Sequence, residues 1–405
     1  MIPSFSSVPY EIPPTAGLPL RWSDFFRTPP DSLEKGLSKF IGVSEVQIEC
    51  SGTAALIIAL ETLKKRSQRK TVIISAFTCP LVPLAIHHCG LKISVCDTEK
   101  NRFDFDAAAL VRAADSDTLC IIPAHLGGSV SDLGPILDVA NRVGAFVVED
   151  VTQSFGAKWR GQFAGTIGDI GFFSLGAGKG LSIYKGGFLF ARDAEMRAGL
   201  RETSREIVPP KPLTELVRFF ELIGYRIFYT PSGLRFVYGA QLRWHLARGQ
   251  LERAVGDEVD RNIPIHKVGA LRKKIGACAL TRLRDAIAQN VARSQTRIAE
   301  LEKIPGVTVV KDLPDSPGVC TFIMVLFESK ERCDATLDKL WKTGLGVTKL
   351  FIHDISDYAF LNKIIPVAYA PNARSFAARH LSITNSAWLG DQDFEKILSA
   401  IRDGV

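Results

Sequence analysis

No stretch of this chain stays apolar long enough to span a bilayer. Its first residues, MIPSFSSVPYEIPPTAG, lack the basic start and apolar run of a secretory signal. No CxxC pair occurs, and the eight cysteines stand apart at positions 50, 79, 89, 96, 120, 278, 320 and 333. Such spacing offers neither a zinc ligand set nor a disulfide frame. It suits free thiols in a reducing cytosol, so a cytoplasmic location and no metal are the expectations. Internal repeats at solenoid periods, low-complexity tracts and a disordered composition are missing as well. No nucleic-acid motif accompanies the formal charge of +7. That charge reads first as a mildly basic surface and second as a preference for an acidic small ligand.

What is present is an ordinary globular balance, 46% hydrophobic and 23% charged, spread over 405 residues. That length predicts two lobes. From Asp31 to about Glu195, helical patterns (Leu33–Phe40, Thr53–Leu63, Leu133–Arg142) alternate with short apolar runs (Val72–Ser75, Leu91–Cys96, Leu119–Ala124, Ala145–Val148). Runs of that kind suit strands covered on both faces, and the alternation predicts a mainly parallel α/β sheet. PPKP at 209–212 breaks the pattern, and Leu213–Tyr229 follows with a wide apolar circumference. Thr281–Glu302 reads as a long helix. Strand–helix–strand units from about Val307, ending in a helix over Asp391–Arg402, predict a second, smaller α/β lobe.

Four segments carry chemistry. Ser51–Leu56, SGTAAL, is a small-residue turn opening a helix, whose free amides and positive dipole end suit a phosphate. The plainer reading is a serine-capped helix. In FVVEDVTQ, the strand ends in Glu149–Asp150, where ligands of open α/β sheets bind. A buried Asp150 there needs a cation, such as a protonated pyridine nitrogen, unless it merely caps the next turn. Gln153, three residues on, can present its amide to the same ligand. Next, a Gly-rich loop holds Ser174 and, five residues later, Lys179, a candidate for imine formation with an aldehyde. Lys185, beside Gly186–Gly187, competes with it, and a solvated loop lysine is the plain alternative. Finally, IIPAHLGG places His125 at a strand end, where a histidine is often only a hydrogen-bonded core residue.

Together these segments resemble the DegT/DnrJ/EryC1/StrS family of sugar aminotransferases, from about Leu33 to the C-terminus and most densely over Ser51–Gly187. The family's SGTxAL stands here as Ser51–Leu56, its HLxG as His125–Gly128, its EDxAQ as Glu149–Gln153, and its FSFxxxK as Phe173–Lys179. The resemblance implies the fold-type I transferase fold of enzymes that use pyridoxal 5'-phosphate (PLP). It implies a large PLP-binding domain over 31–280, with an apolar helical insertion at about 209–262, a small C-terminal domain over 281–405, and an N-terminal arm over 1–30. It makes Lys179 the imine lysine and Asp150 the partner of the pyridine nitrogen. Thr53, Ala54 and Ser174 become phosphate ligands, with Gly52 and Gln153 also binding the cofactor and Cys79 in the place of the usual stacking aromatic. The implied reaction passes an amino group, with glutamate as the expected donor, to a keto-sugar carried on a nucleotide, in polysaccharide or secondary-metabolite biosynthesis. A homodimer is implied with it.

The chain departs from the pattern at Phe77-Thr78-Cys79, at Tyr184–Gly187 in place of GEGG, and at Leu381–Thr384. It also lacks the asparagine of the N-x-R-M segment. A dehydration on the same scaffold is disfavoured by the presence of Lys179. A non-enzymatic PLP-binding regulator is the other rival. For the insertion, burial on the protein's own core or a dimer partner competes with a weak membrane-surface contact through about 213–238, helped by Arg235, Arg243 and Arg248.

Overall fold

The computed structural model describes residues 8–259 and 262–404. Residues 1–7 of the expected arm, 260–261 of the expected insertion and the terminal Val405 lie outside the described residues. Seven strands form the large sheet: β1 (Gln47–Glu49), β2 (Thr71–Ser75), β3 (Lys92–Cys96), β4 (Thr118–Ile122), β5 (Phe146–Asp150), β6 (Ile170–Ser174) and β7 (Gly187–Ala191), in the order β1-β7-β6-β5-β4-β2-β3. Neighbouring strands from β3 across to β6 pair in parallel, while β7 pairs antiparallel with both β6 and β1. The chain steps from β2 outward to β3 and then back across β2 to β4. The strand order therefore reverses beside β2, and the carboxyl ends of β2, β4, β5 and β6 share one edge, where such sheets bind ligands.

The apolar runs become central strands because both faces are covered. Val72, Ile74, Ile122 and Val148 pack with the helix α1 (Gly52–Arg66) on one side. Ile73, Ile121 and Val147 pack with Leu110, Ile136 and Val139 on the other. The period-two alternation of a strand thus assigns each residue to a face. Strands β1, β6 and β7 were not legible as strands in the sequence. The short QIE, and IGFFS and GFLFA inside a glycine-rich stretch, give no clear alternation.

A second, antiparallel sheet joins β8 (Val307–Val309), β9 (Phe322–Phe327), β10 (Val347–Thr348) and β11 (His380–Thr384) in the order β8-β9-β11-β10. Its core takes in Ile12 of the N-terminal arm and Leu242 and Ala254 of the insertion. The arm is an extended strap. Glu11 N–H donates to the Pro231 carbonyl, Ile12 N–H to Gly344, Ala16 N–H to Thr321 and Leu18 N–H to Gly180.

The insertion opens with helix α2 (Pro212–Phe228). Of the alternatives open for its wide apolar face, packing on the protein's own core is not what the fold shows, because the polar stripe faces the protein. Glu215 meets Arg272 in a two-point pair, with Nη2 to Oε1 at 2.6 Å and Nε to Oε2 at 3.1 Å, and His266 lies 2.9 Å from the same carboxylate. Arg272 is 1% exposed, and its guanidinium also donates to the Lys185 carbonyl. Leu222 and Tyr225 are the buried apolar contacts of this helix. A buried pair left with one partner costs more than a surface pair. Arg272→Met is therefore expected to lower unfolding stability by roughly 3–5 kcal/mol, measured by urea titration. A loss below about 1 kcal/mol would show that α2 is held by other contacts.

Candidate functional site

The site begins with parity on β5. Val147 packs on one face and Val148 on the other, so the neighbouring carboxylates of Glu149 and Asp150 point to opposite sides of the sheet. Glu149 is fully buried, and its carboxylate accepts from Gly165 N–H at 2.7 Å, Ile167 N–H at 2.8 Å and Gly168 N–H at 2.6 Å. His125 Nε2 lies 3.2 Å from it. Ser131 N–H donates to His125 Nδ1 at 3.0 Å, which places the ring proton on Nε2, facing Glu149. His125 is thus a hydrogen-bonded core residue, the ordinary case for a histidine at a strand end.

Asp150 lies on the α1 side and is 4% exposed. Burial raises its carboxyl above the usual range, and hydrogen bonds from Thr152 and the charge of Lys179 offset part of that rise. Thr152 N–H donates to Oδ1 at 2.9 Å. Across the site, burial pushes the Lys179 amine below its ordinary value, against the pull of Cys79 and Asp150. Burial also holds the Cys79 thiol up at about 12, with Asp150 adding to the shift. Residues distant in sequence, Cys79 after β2, Asp150 at the end of β5 and Lys179 after β6, therefore share one electrostatic environment. Lys185, the competing lysine, is exposed.

The phosphate-cradle candidate stands where α1 meets β6 and β7. A Cβ on Gly52 would meet Thr152 Cγ2 at 3.1 Å and Ser174 Cβ at 3.4 Å. One on Gly187 would lie 2.6 Å from the Gly52 nitrogen, so this glycine permits a backbone approach that no side chain would allow. Ser51 Oγ accepts from Ala54 N–H at 3.0 Å, which commits one of the amides expected for an anion. The Gly52 and Thr53 amides carry no protein hydrogen bond among the described residues. The Ser174 hydroxyl lies beside them and accepts from Gly176 N–H at 3.2 Å. The Gln153 side-chain oxygen accepts from Gly127 N–H at 3.2 Å, tying the HLGG turn to the end of β5.

Sequence reasoning missed three supports. Thr15 Oγ1 donates to the Gly178 carbonyl at 2.6 Å, and a Cβ on Gly17 would lie 2.9 Å from the Lys179 carbonyl oxygen, so the N-terminal strap braces the lysine loop. Gly178 N–H donates to the Tyr225 hydroxyl at 3.2 Å, which fastens the loop to the insertion. Asp257, also from the insertion, accepts from Ile352 N–H at 2.8 Å and from the Tyr358 hydroxyl, and its charge reaches Cys79. Burial raises the Asp257 carboxyl to about 6. None of these three carries a local motif.

Residues 27–211 match the model of the DegT/DnrJ/EryC1/StrS aminotransferase family. GDP-perosamine synthase of Caulobacter vibrioides is 31% identical over 225 residues, 55% of this chain and 59% of that protein. UDP-N-acetyl-3-dehydro-alpha-D-glucosamine 3-aminotransferase of Acidithiobacillus ferrooxidans is 33% identical over 171 residues, 42% of this chain and 46% of that one. The chain spans about half the length of the curated relatives it matches. A putative sugar aminotransferase of Streptococcus pneumoniae in its PMP form superposes with TM-score 0.75 at 17% identity, covering 98% of this chain and 99% of that one. Helicobacter pylori PseC, an aminotransferase of pseudoaminic acid biosynthesis, gives TM-score 0.75 at 15% identity, with 98% of each chain covered. The fold is that of the PLP-dependent sugar aminotransferases, an α/β fold with a mainly parallel central sheet.

Removing the Glu149 carboxylate strips acceptors from three buried amides and from His125. Glu149→Ala is expected to cost roughly 3–5 kcal/mol in denaturant unfolding. A change under about 1 kcal/mol would mean that the 165–168 turn is held without it.

Proposed function

With residues 27–211 matching the DegT/DnrJ/EryC1/StrS aminotransferase family, we propose that this protein is a PLP-dependent aminotransferase. It moves an amino group, from glutamate, to a keto-sugar carried on a nucleotide. The observation that carries this reading is the meeting of Lys179 and Asp150, from separate strand ends, in one buried charge environment beside the α1 N-terminus. The residues fit the cofactor. Asp150 is a buried carboxyl raised by desolvation and therefore short of a cation, which a protonated pyridine nitrogen supplies. The uncommitted amides of Gly52 and Thr53, the positive end of α1 and the Ser174 hydroxyl suit a phosphate. Bound PLP contributes an aldehyde that accepts nitrogen and a ring that withdraws electrons.

The chain's own groups supply the rest. Desolvation favours a neutral Lys179 amine, which is the nucleophilic form and the form able to take a proton from the substrate carbon and return it. Asp150 holds the ring-nitrogen proton. By the family resemblance Cys79 takes the place of the usual stacking aromatic, and its raised thiol stays neutral there. Gln153 orders the turn at the end of β5 through Gly127. The same reading places the protein in the cytoplasm as a homodimer, with lobes over about 31–280 and 281–405 and the arm over 1–30.

Two tests follow. Borohydride reduction of the PLP-loaded protein is expected to fix the cofactor on Lys179, identified by peptide mass spectrometry. An adduct on Lys185 would overturn the assignment. Asp150→Asn is expected to keep bound cofactor while the glutamate half-reaction slows by roughly 100-fold or more, since a neutral partner no longer holds the ring protonated. Stopped-flow spectra showing a near-normal half-reaction would remove Asp150 from that role.

A further inference from the structure

Helix α2 is amphipathic in the reverse sense for a surface helix. Glu215 is engaged inward by Arg272, and Arg218 pairs with Glu221 at 2.6 Å. Leu213, Leu216, Val217, Phe220 and Ile227 face outward, each 48–80% exposed. The chain beyond the helix extends the face with Phe236 at 65% and Val237 at 42%. Of the sixteen large hydrophobic side chains exposed among the described residues, eight lie between 213 and 237. So dense a cluster marks a contact surface, not scattered surface apolarity.

Its charge says what covers it. Guanidinium groups lie over exposed rings in this region, Arg226 at 5.0 Å from Trp22, Arg235 at 5.4 Å from Phe236 and Arg248 at 3.6 Å from Trp244. Among the described residues, none of these three arginines, nor the exposed Lys211, pairs with a carboxylate. Arg243, expected from the sequence to join them, instead pairs with Glu11 at 2.6 Å and is spent inside the protein. Of the acidic residues of α2, Glu215 is turned inward and the part-exposed Glu221 is neutralised by Arg218, so the outward face is apolar with a cationic margin that has no carboxylate partner among the described residues.

We propose that this face docks on an anionic lipid bilayer. No helix among the described residues is long and apolar enough to cross a membrane, so the contact lies in the interface plane. Apolar side chains enter the headgroup–acyl boundary, Trp22 and Trp244 sit at its margin, and Lys211, Arg226, Arg235 and Arg248 meet anionic headgroups. A symmetric contact with a second copy would set this cationic margin against itself, which disfavours that occupant. A cavity of about 530 Å3 lies between this surface and the lysine loop, bounded by Phe228 and Val237 on one side and Gly178 and Lys179 on the other. Docking therefore holds the Lys179 loop beside the bilayer.

Bilayer docking is independent of the proposed aminotransferase activity, and vesicle flotation reads binding alone. The full chain is floated with vesicles of phosphatidylcholine, with or without roughly one-third phosphatidylglycerol. The protein is expected to rise with the anionic vesicles at low salt, and about tenfold less with neutral vesicles or at high salt. The double variant Phe220→Ser/Phe236→Ser alters only exposed positions and is expected to stay in the soluble fraction with an unchanged thermal midpoint. Val111→Ser, an exposed position outside this face, is expected to float as wild type does. Wild-type protein that stays soluble with anionic vesicles overturns the proposal, as does a double variant that still floats. If light scattering shows that the double variant lowers the oligomeric state while wild type ignores vesicles, the face is an interface between copies and bilayer docking is wrong.

Discussion

The carboxylate of Glu149 is the fixed point on which the site is built. It gathers three backbone amides of the 165–168 turn and one histidine proton into a fully buried cluster. Burying a carboxylate without such partners would cost far more than one lost contact. Because β5 is pinned in register by this cluster, the next residue has no choice of side. Asp150 must emerge on the opposite face, where α1 begins and Lys179 waits. Adjacent residues of the same chemistry thus take different tasks. One is saturated with donors and holds the sheet edge, and the other is desolvated and lacks a full complement of donors.

The lysine loop is stabilised from outside the motif that contains it. Gly17 approaches its backbone so closely that any side chain would collide with it, and Thr15 and Tyr225 bond to Gly178 from either side. The strap that does this continues into the core of the small sheet through Ile12. Strap, small sheet, insertion and lysine loop are therefore mechanically connected. The pair of Arg272 and Glu215 extends that connection to α2, since the same guanidinium holds the Lys185 carbonyl at the end of the loop. Turning the polar stripe of α2 inward satisfies Arg272 and leaves the apolar side of the helix uncovered.

Much of the site was readable as linear pattern. Ser51–Leu56, Glu149–Gln153 and Phe173–Lys179 each carry chemistry within a few residues, because a helix start, a strand end and a glycine-rich turn are local objects. Apolar runs gave the central strands β2 to β5 to within a few residues, since burial on both faces leaves a continuous signal. Strands β6 and β7 escaped because they lie in a glycine-rich stretch without clear alternation, although Gly187 is what lets β7 close on the start of α1 and Gly171 lets β6 approach the Gly165 backbone. Ala54 shows the limit of motif transfer. It stands in the SGTAAL pattern, yet its amide is already held by Ser51, which leaves the open donors on Gly52 and Thr53.

The sequence by itself determined the central elements and their local chemistry, namely which runs are buried, where α1 starts, that Asp150 ends a strand and that Lys179 lies in a glycine-rich loop. It left His125 without a role and suggested Arg243 as a surface cation. Tertiary structure decided these two and set the burial of Lys179 against the exposure of Lys185, because exposure, tautomer and pairing depend on what packs nearby. Lys185 is exposed, His125 has both ring nitrogens engaged, and Arg243 faces Glu11 across more than two hundred residues of chain. The orientation of α2 was settled in the same way. A helical wheel shows that two faces differ, but only the position of Arg272 in the folded protein fixes which one turns inward.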